Sequence, residues 1–97
     1  MNRIEALATI EKQPDERQDY DVDFADWLAE LDDTASSAAV EVTPAGIDLV
    51  AHSLDDSVVK VWLAGGVNRV RYKVTVTLTT AGARIKEAEF YVYVREV

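Results

Sequence analysis

The clearest pattern in the chain lies between residues 57 and 96. From Val70 apolar and polar positions alternate strictly. Val70, Tyr72, Val74, Val76 and Leu78 share one face; Arg69, Arg71, Lys73, Thr75, Thr77 and Thr79 share the other. Successive side chains of a β-strand point to opposite faces, so the pattern predicts a strand with one buried and one wet side. Thr80-Ala81-Gly82-Ala83 then predicts a short loop in which Gly82 is free to take positive φ. The chain returns with Ala88, Phe90, Val92 and Val94 on one face and Glu87, Glu89, Tyr91, Tyr93 and Arg95 on the other. A third strand over residues 58–63 leads in, and Gly65-Gly66 breaks it sharply from the hairpin. The rest of the chain has to cover the apolar face of these three strands. The expected core is Val74, Val76, Leu78, Phe90 and Val92 with Trp27 and Trp62.

Residues 1–13 carry a thin apolar stripe, Ile4, Leu7 and Ala8, with Asn2 and Glu5 spaced as a capping box. A helix this short is marginal alone in water. The segment therefore reads either as a frayed terminus or as an N-terminal arm, helical or extended, ordered mainly by contact with another chain. Pro14 ends it, and the single β-sandwich domain is expected over residues 14–97. Tyr20-Asp21-Val22-Asp23-Phe24 alternates as a short strand. Phe24, Trp27, Leu28 and Leu31 then fall at i, i+3, i+4 and i+7, which suits one or two helical turns. Trp27 is expected as a plug between the sheets. Asp32-Asp33 turns the chain into a strand with Ala38, Val40 and Val42 on one face, and Pro44-Ala45-Gly46 turns it again into residues 47–54. Six short antiparallel strands separated by turn signals, with a seventh allowed, predict an all-β sandwich rather than any βαβ fold. Tyr72 sits where immunoglobulin-like sandwiches place a tyrosine that bonds back across a sheet corner, although plain core packing explains it as well.

Charge changes this picture. The net charge is −8, but residues 1–56 carry fifteen acids against three bases, and residues 57–97 three acids against seven bases. Either the halves neutralise each other within one fold, or acidic and basic surfaces lie on opposite sides and meet between copies. In the second case the contact residues are Asp19, Asp21 and Asp23 on one copy and Arg69, Arg71 and Lys73 on the next. Such a contact joins two different surfaces and builds a homo-oligomer. The chain has no cysteine, which excludes disulfides, thiol chemistry and cysteine–zinc sites. No apolar run is long enough to span a bilayer, and the first residues lack a secretory signal, so synthesis in a cytoplasm and no membrane partner are expected.

Candidate chemistry is thin. Asp19, Asp21 and Asp23 with Glu30 imitate an EF-hand loop, but Phe24 occupies the position that requires glycine. Alternating aspartates on the wet face of a strand account for them, so no metal is expected. His52 has no second histidine, cysteine or placed nucleophile beside it. Gly65-Gly66 lacks the lysine and helix start of a phosphate loop. The basic row, extended by Arg84 and Lys86 across the hairpin, could touch nucleic acid. Overall acidity and the lack of interleaved exposed aromatics argue against that partner. No catalytic residue and no cofactor are assigned.

Several runs carry a family resemblance. Lys12-Gln13-Pro14-Asp15-Glu16, Asp19-Tyr20-Asp21-Val22-Asp23 and Trp27-Leu28 resemble the opening of the fibre–tail adaptor proteins of small tailed phages. Val61-Trp62-Leu63-Ala64-Gly65-Gly66, Tyr72-Lys73-Val74-Thr75 and Thr79-Thr80-Ala81-Gly82-Ala83-Arg84 resemble the second half of the same family. Phe24 departs from the family, where tryptophan is common, and the arm before Lys12 is longer than usual. The resemblance implies an immunoglobulin-like structural component of a phage or prophage virion, made in the host cytoplasm. It would act through protein–protein contacts with other phage structural proteins at a tail or head–tail/fibre junction, with no catalytic residues to transfer. The other class the sequence allows is an immunoglobulin-like binding module that recognises a host-surface ligand through its loops.

Overall fold

The computed structural model describes residues 2–4 and 8–97, with side chains described from Ala8 onward. Among these residues the chain forms β1 (Asn2–Ile4), β2 (Thr9–Lys12), β3 (Arg17–Asp23), α1 (Ala25–Leu31), β4 (Ala35–Thr43), β5 (Ile47–Asp55), β6 (Val58–Gly65), β7 (Arg71–Thr80) and β8 (Ile85–Val94). One sheet has the order β1-β3-β6-β5 and the other β2-β8-β7-β4. The result is a small all-β sandwich.

The period-2 pattern carries over to the inner faces. Tyr72, Val74, Val76 and Leu78 of β7 and Phe90, Val92 and Val94 of β8 are buried from one sheet. Val59, Val61 and Leu63 of β6 with Tyr20 and Val22 of β3 are buried from the other. Phe24 and Leu28 close one end. Each buried side chain of this size removes about 1.5–3 kcal/mol of unfavourable hydration, so this double layer is the main source of stability. Tyr72 combines core packing with the corner bond. Its hydroxyl accepts the Val67 N–H at 2.9 Å, holding the connection between β6 and β7. A Cβ on Gly46 (φ 127°) would lie 2.9 Å from that hydroxyl, so the β4–β5 turn also closes on it. Gly66 (φ 107°) is constrained likewise, since a Cβ there would come within 2.6 Å of Val94.

The structure differs from the sequence expectations at several places. Residues 2–4 and 9–12 are strands, so of the two forms left open for the arm the described residues take the extended one; residues 1 and 5–7 lie outside them. Both strands are parallel to their neighbours, β1 on β3 and β2 on β8, whereas only antiparallel strands were expected. The arm thus finds backbone partners within its own chain. Trp62 is half-buried on the outer face, because the alternation that turns Val61 and Leu63 inward turns Trp62 out; the Arg17 guanidinium lies 5.3 Å from its ring centre. Trp27 is likewise only partly buried, with the Lys86 ammonium 5.6 Å from its ring centre, and the plug position falls to Phe24 and Leu28. In the hairpin loop positive φ falls on Ala83 (65°) rather than Gly82, and Arg69 (φ 70°) precedes β7 instead of continuing its wet row.

Gly82 has a different use. Its N–H donates to Asp33 Oδ1 at 3.0 Å, and a Cβ there would meet the Asp33 carboxylate at 2.8 Å. Asp33 also accepts the Thr34 N–H at 2.8 Å and the Arg84 guanidinium at 2.8 Å. The Ala81 N–H donates to the Thr34 carbonyl at 2.9 Å. The turn after α1 is therefore stapled to the tip of the β7–β8 hairpin. The Thr80 hydroxyl, with the Thr34 amide, Arg84 and the Gly82 amide, holds the Asp33 carboxyl well below the usual carboxylate range.

Two measurements check this account. Val76→Asp, which puts a charge where exposure is 0%, should abolish cooperative thermal unfolding, because nothing in the inner layer can pair it. Asp33→Asn should lower the melting temperature by several degrees at neutral pH. Because the folded-state pKa is depressed, the Asp33 contribution is complete above the unfolded carboxylate pKa of about 4 and fades as pH falls below it. The gap between parent and variant should therefore narrow on acidification; an equal gap at pH 7 and pH 2.5 would show that the charge is irrelevant.

Candidate functional site

The acidic and basic rows singled out in the sequence lie on the outer faces of opposite sheets, since β3 belongs to one and β7 to the other. On the first face, antiparallel pairing places Asp21 opposite Lys60. The Lys60 ammonium lies 2.9 Å from Asp19 Oδ2 and 3.0 Å from Asp21 Oδ1. These hydrogen bonds raise the Lys60 pKa, and the bond from Lys60 lowers that of Asp19. Asp21 is only 1% exposed, so the expectation that all three aspartates stand on a wet face fails at its middle member. Asp23 accepts the Ala25 N–H at 2.9 Å and the Ser57 hydroxyl at 3.1 Å.

On the second face Lys73 pairs with Glu89 at 2.9 Å, and that bond raises its pKa. The Arg71 guanidinium stacks 4.3 Å from the Tyr91 ring centre and donates to the Thr9 hydroxyl at 3.1 Å. Arg84 and Lys86 do not extend this row. Arg84 binds Asp33 and Lys86 covers Trp27, while Arg71 and Lys73 stand opposite Tyr93 and Tyr91 at the other end of the hairpin. Beyond Lys73 the face flattens into a shallow groove of about 530 Å³, floored by Ala39, Thr75 and Thr77 and edged by Glu41, Glu87 and Glu89.

One residue escaped functional reading of the sequence. Lys12, at the end of β2, is 1% exposed, and its ammonium donates to the carbonyls of Gln13 (2.8 Å) and Gly65 (2.6 Å). Burial lowers its pKa, partly offset by Glu16 and Asp15. Lysine is seldom buried, and no local pattern marks this one; only the positive φ that Gly65 can adopt hints that its carbonyl is turned out of the strand. Lys12 fastens the end of β2 to the end of β6, where the connection that Tyr72 holds begins. His52 is exposed on β5. Among the described residues no three histidine, aspartate or glutamate side chains are grouped to hold a metal ion, and no helix is long and apolar enough to cross a membrane.

A protein-family model, the podophage GP4 fibre–tail adaptor protein gp77, matches residues 12–93, from the buried lysine to the penultimate residue of β8. No curated protein matches the chain.

The Lys60 arrangement predicts a coupling. Lys60→Met should lower the melting temperature by several degrees, because Asp21 stays buried without its cation. Adding Asp21→Asn should recover most of the loss, since the stranded charge goes with it. Additive losses in the double variant would mean that the two side chains do not act as a pair.

Proposed function

The chain belongs to the podophage fibre–tail adaptor family, and from that premise we propose that it is a non-enzymatic junction protein of a phage or prophage virion, joining tail and fibre through protein–protein contacts. The observation that carries this reading is the extent of the match, which takes in nearly the whole sandwich rather than a fragment of it. The geometry supports it. Corner, staple and buried lysine brace the block at its turns, while Asp19 on one sheet and Arg71 and Lys73 on the other project from opposite outer faces. Such a block can seat two different neighbours on two different surfaces. We place the contact between copies at the same faces, with Asp19 and Asp23 of one copy toward Arg71 and Lys73 of the next; Asp21, buried under Lys60, and Arg69, outside β7, drop out of the rows expected from the sequence. A contact between unlike surfaces closes into a ring or runs on as a filament.

The internal pairing of these charges fixes their role. Lys60 already neutralises part of the acidic row and Glu89 part of the basic one. Exposed charges are screened beyond about 8–10 Å at physiological salt, so the rows orient and speed association more than they hold it. Nucleic acid and membrane are not partners in this reading, in keeping with a net charge of −8. The protein is made in the host cytoplasm and functions in the particle.

Immobilised protein should retain purified tails or fibres of the phage that encodes it and should not bind cell-surface polysaccharide. The variant Arg69→Glu/Arg71→Glu/Lys73→Glu should assemble more slowly, and the parent should slow in the same way between low and moderate salt. Retention of polysaccharide without tails or fibres would sink the adaptor reading. Normal assembly of the triple variant would reduce the charge split to internal neutralisation.

A further inference from the structure

The two sheets leave four edges, and they differ in how well they are closed to other chains. β1 and β2 are three and four residues long. β5 has an irregular register between Leu49 and Ala51 and carries Asp48 and Asp55 near its ends. β4 is different. It spans nine residues, has its one register shift at its start, between Ala35 and Ser37, runs unbroken beside β7 from Ser37 to Thr43, and bears a single charge, Glu41, with no lysine or proline inside it. Its side chains are small, and among the described residues no strand lies beside its backbone groups on the side away from β7. Long, regular, weakly charged edges are the places where an extended segment of another chain adds to a sheet.

The outer face beside this edge carries a charge signature. Register places Glu41, Thr75 and Glu89 in one row across β4, β7 and β8, and Ala39, Thr77 and Glu87 in the next. Lys73 pairs with Glu89, whereas Glu41 and Glu87 have no ion pair among the described residues. A strand added beside β4 would set an outward side chain opposite Glu41 at ordinary cross-strand distance. Its neighbour two residues away would lie over the low floor of Ala39 and Thr77 toward Glu87.

We propose that the β4 edge is a strand-addition site for an extended basic segment of another virion protein, its backbone pairing with β4 and its lysine or arginine side chains meeting Glu41 and Glu87. The identity of the partner as a virion protein rests on the adaptor reading; the edge and its charge preference do not.

The test uses the whole isotope-labelled protein titrated with a short peptide of alternating lysine and valine, followed by amide shifts in NMR. Shifts concentrated in β4 and its neighbours are expected, with weaker binding in high salt. An alternating glutamate–valine peptide should bind about ten-fold more weakly or not at all. The variant Glu41→Lys/Glu87→Lys, both exposed positions, should keep its circular dichroism and reverse the preference. Absence of β4 shifts, equal binding of both peptides, or concentration-dependent β4 broadening in the protein alone, which marks a second copy as the occupant, would each overturn the proposal. Immobilised parent and variant are then compared for retention of purified tails and fibres. Retention by the parent alone supports the site. Retention by both overturns it and leaves the adaptor role standing; retention by neither removes the adaptor role, and the peptide titration still decides the edge.

Discussion

The structure depends on the contact between two apolar strand faces at its centre. Val74, Val76 and Leu78 of β7 look across at Val59, Val61 and Leu63 of β6, and all six have no exposure to solvent. A strand buries every second residue, so fixing this layer fixes the outward direction of every residue between. The threonine row of β7, Lys60 and Trp62 face outward for that one reason. The turns then only have to keep the two sheets in register, and three of them are tied down by side chains: Tyr72 to Val67, Asp33 to the hairpin tip and Lys12 to Gly65.

This economy shapes the functional surface. Charges that face outward on a narrow sandwich have neighbours of the opposite sign within reach, and the chain uses them: Lys60 bridges Asp19 and Asp21, and Lys73 takes Glu89. Such pairs contribute little to stability when exposed, but they blunt the fields that the sequence suggests. What the sandwich leaves open is different in kind. It is an edge strand of small residues beside two glutamates that, among the described residues, have no ion pair, a surface suited to backbone recognition by an extended chain.

Much of this was legible in the sequence where spacing alone decides the outcome. The strict alternation in β7 and β8 marks their buried faces, the i, i+3, i+4 spacing after Phe24 marks α1, and Pro44-Ala45-Gly46 and Gly65-Gly66 mark turns. The aromatic positions were less legible. Tryptophan is read as core because of its size, but Trp62 obeys the alternation of its own strand, and Trp27 yields the end of the core to the smaller Phe24 and Leu28.

By itself the sequence determined the fold class, the inner faces and the family, because periodicity, turn chemistry and contiguous motifs are local properties. Only the tertiary structure decided the rest. Lys12 reaches Gly65 across fifty-three positions, Lys60 reaches Asp19 across forty-one, and Arg84 reaches Asp33 across fifty-one. No local pattern encodes such pairings, since they exist only once two sheets have stacked and set distant strands in register. The same holds for the N-terminal segment. Too few apolar residues mark it as part of the domain, yet parallel partners on β3 and β8 give its backbone the hydrogen bonds that its side chains do not advertise.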